Sequence, residues 1–201
     1  MAILTYNDFT GQQYLPHTSA VQQSALTAAI AEHYRDGMVL VLGDKLADAI
    51  IADYAQNTPA QATLDLVDGG VDFDITIGGT TVQRAWKGLK SPLTKYVYLR
   101  YREQTDSFMT SAAGQSVGKA ENAAGADPIP VMCKIHNEMV KEFGHDCVAT
   151  FDGLTDVLIK PDAGDSFANY DPSAYNFMLA NIADYPDWIF TPMQMVNRFG
   201  L

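Results

Sequence analysis

Long apolar runs are missing from this chain. The longest, Met38–Leu42, falls far short of the ~20 residues that cross a bilayer, so no membrane partner is expected. The first residues, Met1-Ala2-Ile3-Leu4-Thr5-Tyr6-Asn7-Asp8, have no basic stretch leading into an apolar one. No secretory signal is read there, and the product is expected to stay in the compartment where it is made. Cysteine is scarce: Cys133 and Cys147 stand alone, which excludes a disulfide framework and reads as reduced, buried thiols. Cations are scarce too. Thirteen Lys and Arg face 24 Asp and Glu, a net charge of −11 that argues against a general nucleic-acid-binding surface. No G-x-S-x-G, phosphate-binding loop, dinucleotide fingerprint or H-E-x-x-H occurs. Four histidines (His17, His33, His136, His145) have no locally partnered nucleophile, so neither an enzyme nor a cofactor is expected.

What the chain has is a core and a lopsided charge pattern. At 201 residues and 47% hydrophobic it is long and apolar enough for one domain spanning 1–201. Six of its thirteen cations (Arg84, Lys87, Lys90, Lys95, Arg100 and Arg102) fall between 84 and 102, an interval with no Asp or Glu. A basic middle in an acidic chain suits self-association or docking onto an acidic partner, because opposite patches steer encounter and set register. The ordinary alternative is a solvated charged face.

The fold class read from periodicity is mainly α, with a small antiparallel β element inserted at about 64–83. Ser19-Ala20-Val21-Gln22 is a capping box that opens a helix over 20–35. Met38–Leu42 fits helix or strand. After Gly43, Ala47, Ile50, Ile51 and Tyr54 make a second amphipathic helix, with Asp44, Lys45, Asp48 and Asp53 facing elsewhere. Val71, Phe73, Ile75 and Ile77 then alternate with polar residues as a half-buried strand, and Leu64–Val67 and Thr80–Gln83 are expected to be its partner strands. Ser91-Pro92 reads as N-cap and first turn of a helix reaching about Ser111. Its apolar circumference, including Tyr98, predicts cover on more than one side. Residues 112–130 read as a long flexible loop. Pro130 opens a helix through Ile135, Met139, Val140 and Phe143. Val148–Ile159 is apolar but of uncertain type, and Asp171-Pro172 caps a last helix carrying Tyr175, Met178, Leu179 and Ile182. The tail 185–201, with Trp188, Phe190 and Phe199, is too aromatic to stay solvated and is expected to dock on something.

Two groups of residues suggest metal chemistry. Cys133 and His136 share a helix face near His145 and Cys147, but the second pair lacks zinc-knuckle spacing. Asp72 and Asp74 share a strand face, close in sequence to Asp65 and Asp68, and paired carboxylates hold Mg²⁺ or share a proton. Solubilising acids on an exposed strand face are the simpler reading. Asp162-Ala163-Gly164-Asp165 lacks the Asp-x-Asp-x-Asp-Gly spacing and closing Glu of a calcium loop. These groups leave a small metal-dependent hydrolase or nuclease, using acidic or Cys/His residues, as the second reading. A third is an acidic module that mimics DNA.

Several stretches resemble the head-to-tail connector, or head-completion adaptor, proteins of tailed bacteriophages. They are Leu42-Gly43-Asp44-Lys45-Leu46, Ser91-Pro92-Leu93-Thr94-Lys95-Tyr96-Val97-Tyr98-Leu99-Arg100-Tyr101, Lys119-Ala120-Glu121-Asn122-Ala123, Asn137-Glu138-Met139-Val140 and Asn197-Arg198-Phe199-Gly200-Leu201. They run in order over most of the chain, and none is a catalytic signature. The resemblance implies a helical subunit, made in the host cytoplasm, that forms a ring of about twelve copies beneath the portal at the capsid vertex. It implies the portal protein on one side, another neck or tail protein on the other, and DNA passing through without sequence specificity. The Asp-rich insert at 64–83 and the extended aromatic tail depart from the smallest members. A ring needs a heterologous interface. The basic 84–102 segment against the acids around Asp44, Asp48 and Asp53 is the expected pairing, with Trp188, Phe190 and Phe199 docking on partners.

Overall fold

Helix α1 (Ala20–Leu42) begins at Ser19, whose hydroxyl accepts from the Gln22 amide while the Gln22 side chain accepts from the Ser19 amide. The computed structural model describes residues 2–13, 19–106, 108–110, 114–116, 129–144, 160–167 and 169–193. The chain is mainly helical, with α2 (Asp44–Tyr54), α3 (Gln61–Asp68), strands β1 (Val71–Ile77) and β2 (Thr80–Trp86), then α4 (Lys90–Asp106). The short strands β3 (Phe108–Thr110) and β4 (Gly114–Ser116) follow, then α5 (Ile129–Phe143) and α6 (Ala174–Ala180). Helix α4 packs between α1 and α5, as its apolar circumference predicts. Leu93, Tyr96, Val97, Tyr98 and Leu99 are all buried in a core shared with Met38, Val41, Ile135, Met139 and Phe143.

β1 and β2 form an antiparallel hairpin in which Ile77 pairs with Thr80 across Gly78-Gly79. Both glycines have positive φ (57° and 84°), as a two-residue hairpin turn requires. Phe73 and Ile75 point into the core while Asp72, Asp74 and Thr76 stay exposed. The hairpin is held from beneath by α6: Phe177 stacks on Trp86 and meets Phe73 edge-on, both at 5.4 Å between centroids.

Several sequence expectations need correcting. Leu64–Val67 is not a strand but the body of α3, because Thr63, Leu66 and Val67 bury one helical stripe. The Leu66 carbonyl accepts from the Leu89 amide and from Trp86 Nε1, which ties α3 to the base of the hairpin. α1 does not stop near 35 but runs through Gly37 to Leu42. A mid-helix Gly costs about 1 kcal/mol relative to Ala. Here a Cβ at 37 would lie 2.9 Å from Tyr96 Cδ1, so the bare backbone lets α4 come close and packing outweighs propensity. α4 starts at Lys90, so Ser91 is inside the helix rather than its cap, and the helix ends at Asp106 rather than Ser111. Part of the 112–130 segment read as loop is strand β4, paired with β3. The cap of α6 is Ser173, whose hydroxyl accepts from the Asn176 amide, not Asp171. Val148–Ile159, Lys119–Ala123 and Phe199 lie outside the described residues.

The described part of the aromatic tail, up to Met193, packs onto its own chain. Trp188 and Phe190 are buried and close around Tyr175 of α6, with centroids at 5.3 and 5.0 Å. Helix ends leave their last four carbonyls without intrahelical partners. At α1 the Gly43 amide takes Val39 O, the Thr191 amide takes Leu40 O, Trp188 Nε1 takes Val41 O and the Ile189 amide takes Leu42 O. Trp188 and Phe190 therefore belong to this subunit's core, and their surfaces are already covered.

Candidate functional site

The basic segment is divided by the fold instead of forming one patch. Lys95 points inward: its side chain is 8% exposed, and its Nζ lies 2.7 and 2.8 Å from the two Glu142 oxygens and 3.0 Å from Ser91 Oγ. Ser91 in turn donates to Glu142 at 3.0 Å, so one carboxylate on α5 gathers two groups of α4. Tyr98 is buried. Arg84 Nε donates to the Tyr170 carbonyl at 2.7 Å, and Arg102 is half-buried. Arg100 lies over the Tyr96 ring and pairs with Glu103 at 3.0 Å while staying half in water. Lys87 is exposed. Of the six cations, Lys87 and Arg100 carry the most accessible charge.

The acids expected to meet them have a partner at home. Arg35 of α1 clamps Asp48 through Nε (2.8 Å) and Nη2 (3.0 Å) and reaches Asp44 at 3.2 Å. Those hydrogen bonds hold the Asp48 carboxyl below the usual carboxylate range. The two carboxylates remain largely exposed and Arg35 partly so, and the cluster offers surface charge, though with its cation in the same chain.

Beneath the hairpin, Lys90 pairs with Asp68 at 2.6 Å and lies over the Tyr54 ring, while the Tyr54 hydroxyl donates to Asp68 at 2.9 Å. Burial works against the Lys90 ammonium, but its bonds to Asp68 and Tyr54 outweigh that and hold it above its ordinary range. Burial pushes the Tyr54 and Tyr185 hydroxyls up, and Tyr185 donates to the Ala62 carbonyl. All three groups keep protons in the folded chain that the unfolded chain releases above about pH 10. Their stabilisation is complete below that pH and is lost as pH rises through the folded values, because the native state then binds more protons. Urea midpoints are expected to hold up to about pH 9 and fall steeply above about pH 10, with tyrosinate absorbance rising as helical circular dichroism disappears. A midpoint unchanged to pH 11.5 would contradict this.

Among the described residues, no group of three or more His, Cys, Asp or Glu could hold a metal ion. Asp72 and Asp74 project from the exposed face of β1, opposite Ala85 and Gln83. In the 162–165 turn, Asp165 Oδ2 accepts from the Asp162 amide at 2.8 Å and Asp162 Oδ1 from the Gly164 amide at 3.4 Å, so the carboxylates close their own turn. His33 is buried in α1. His17, His145 and Cys147 lie outside the described residues. Cys133 and His136 line one cleft of about 300 Å³ between α4 and α5, together with Met132, Met139 and Met193. Sequence reading missed Glu142 and Met193, which lie 47 and 60 residues from Lys95 and Cys133 in the chain. No helix among the described residues is long and apolar enough to cross a membrane. Comparison with family models, curated proteins and solved structures finds no match to this chain.

Proposed function

We propose that this chain is a structural, non-enzymatic virion protein of a tailed bacteriophage. In this reading it forms an oligomeric ring beneath the portal, joins the capsid vertex to the tail and lines the DNA channel. The observation that carries the reading is a strongly acidic chain in which Lys87 and Arg100 are the accessible cations of an acid-free middle segment. Seven cations stand against 24 acids outside 84–102, while that interval holds six cations and no acid. A heterologous ring contact uses two different surfaces of one subunit, and opposite net charge on the two sets their register. A predominantly acidic wall also repels the phosphate backbone and lets DNA slide. The helical core with its small hairpin is consistent with the architecture the resemblance implies.

The interface cations in this proposal are Lys87 and Arg100, the two with accessible charge. Lys87→Glu combined with Arg100→Glu should leave the monomer folded. Like charges facing each other across an interface cost several kcal/mol, so ring assembly on purified portal should weaken at least tenfold. Native mass spectrometry at low and physiological salt reads this directly. A wild-type chain that stays monomeric with portal present would overturn the ring, and a double variant that assembles like wild type would overturn the interface.

A further inference from the structure

The cleft between α4 and α5 is lined, apart from Arg100, by residues that the proposed ring contact does not use. Four of its residues, Met132, Cys133, His136 and Met139, come from successive turns of α5, and Met193 from the tail lines the same cleft. That is one thiol, one imidazole and three thioethers around a space of about 300 Å³. Thioethers bind Mg²⁺, Ca²⁺ and Zn²⁺ poorly, since those ions favour oxygen or a thiolate–imidazole set. A donor set dominated by sulfur selects Cu(I). Methionine's three rotatable bonds also let its sulfur swing toward a small cation without moving the helix.

We propose that this cleft binds one Cu(I) ion through Cys133 and His136, with thioether support from Met139 and from Met132 or Met193. The electrostatics permit it. Among the described residues, the charged ones lining the cleft are Arg100 and Glu103, which pair at 3.0 Å. Binding forms a Cu–S bond and releases the Cys133 thiol proton, so a monovalent cation leaves the cleft neutral, and copper stays Cu(I) throughout. Cys133 and Met132 are half-buried, open enough for an ion to enter, while Met139 is buried at the floor. The site shares Arg100 with the proposed ring contact but takes none of its metal ligands from it.

The test is an anaerobic titration of the full chain with Cu(I) against bathocuproine disulfonate. Wild type should withdraw one equivalent per chain from the coloured chelate. Cys133→Ser and Met139→Leu should each weaken binding by at least about tenfold, given that even outer-shell partners of metal ligands are worth about 10–100-fold. Met139→Leu conserves volume and keeps the core packed, and Cys147→Ser should bind like wild type. Should Cys133→Ser fail to fold, protection of Cys133 from iodoacetamide by Cu(I), read by mass spectrometry on wild type, gives the same answer. No withdrawal of copper, equal loss in Cys147→Ser, unweakened variants, an alkylation rate unaffected by Cu(I), or displacement by equimolar Zn²⁺ would each overturn the proposal.

Discussion

Lys95→Glu is expected to destabilise the folded chain by about 3 kcal/mol, at the low end of the ~3–5 kcal/mol that breaking a buried ion pair costs. The ammonium is nearly inaccessible and touches both Glu142 oxygens, whereas Glu142 is 37% exposed. That exposure lets water screen the stranded carboxylate and sets the estimate low. Reversal does more than remove the partner, because two carboxylates would then face each other across α4 and α5 beside Ser91. Lys95→Met keeps the stem packed and leaves Glu142 to water, so its cost should be smaller, about 1–2 kcal/mol. Lys87→Glu, on the surface, should stay within about 0.5 kcal/mol of wild type. Urea denaturation of the three variants separates these values, and a Lys95→Glu midpoint indistinguishable from that of Lys87→Glu would refute the buried pair. The point bears on assembly as well. Read from sequence, Lys95 and Arg102 share a helix face two turns apart, and reversing both would weaken the ring while sparing the monomer. In the fold Lys95 is a core residue, so loss of rings in that double variant would report unfolding.

That reversal of meaning shows where sequence reading stops. Period and punctuation located α1, α2, the β1–β2 hairpin and α5, since each carries a long stripe or a turn whose chemistry is local: the Ser19–Gln22 box, the Gly78-Gly79 turn, the Ile135–Phe143 stripe. It failed where a distant contact decides. Leu64–Val67 has too few residues to tell period two from 3.6, and it is helical because Leu66 and Val67 bury together and Leu66 O is needed by Trp86 and Leu89. Gly37 looks like a helix stop until Tyr96 of α4 is laid against it. The site was legible to the same degree. Cys133 and His136 are neighbours on one helix and were paired on that ground. The Met193 that shares their cleft, the Glu142 that claims Lys95 and the Arg35 that claims Asp48 come from other elements, and no local pattern announces them.

Trp188→Ala tests the largest of these hidden contacts, and a loss of about 4–5 kcal/mol is expected. Deleting a fully buried aromatic costs about 3–5 kcal/mol through lost transfer energy and the cavity left behind. Trp188 is 1% exposed and packs on Tyr175 at 5.3 Å. To this is added the Val41 carbonyl at the end of α1, which loses the indole N–H at 2.8 Å. Trp188→Phe keeps most of the ring and removes only that donor, so it should cost about 1–2 kcal/mol, and the difference between the two variants isolates packing from capping. Hydrogen exchange gives a local reading. The Ile189 and Thr191 amides, which donate to Leu42 and Leu40, should lose protection in Trp188→Ala before the α4 amides do, because the tail opens before the core. Equal melting of Trp188→Ala and wild type would mean that the tail is held by something other than its own subunit. A loss confined to assembled particles would then return Trp188 and Phe190 to the partner-docking role that sequence suggests. A loss already present in the isolated chain assigns them to the end of α1, where three carbonyls and one aromatic cluster depend on the same short segment.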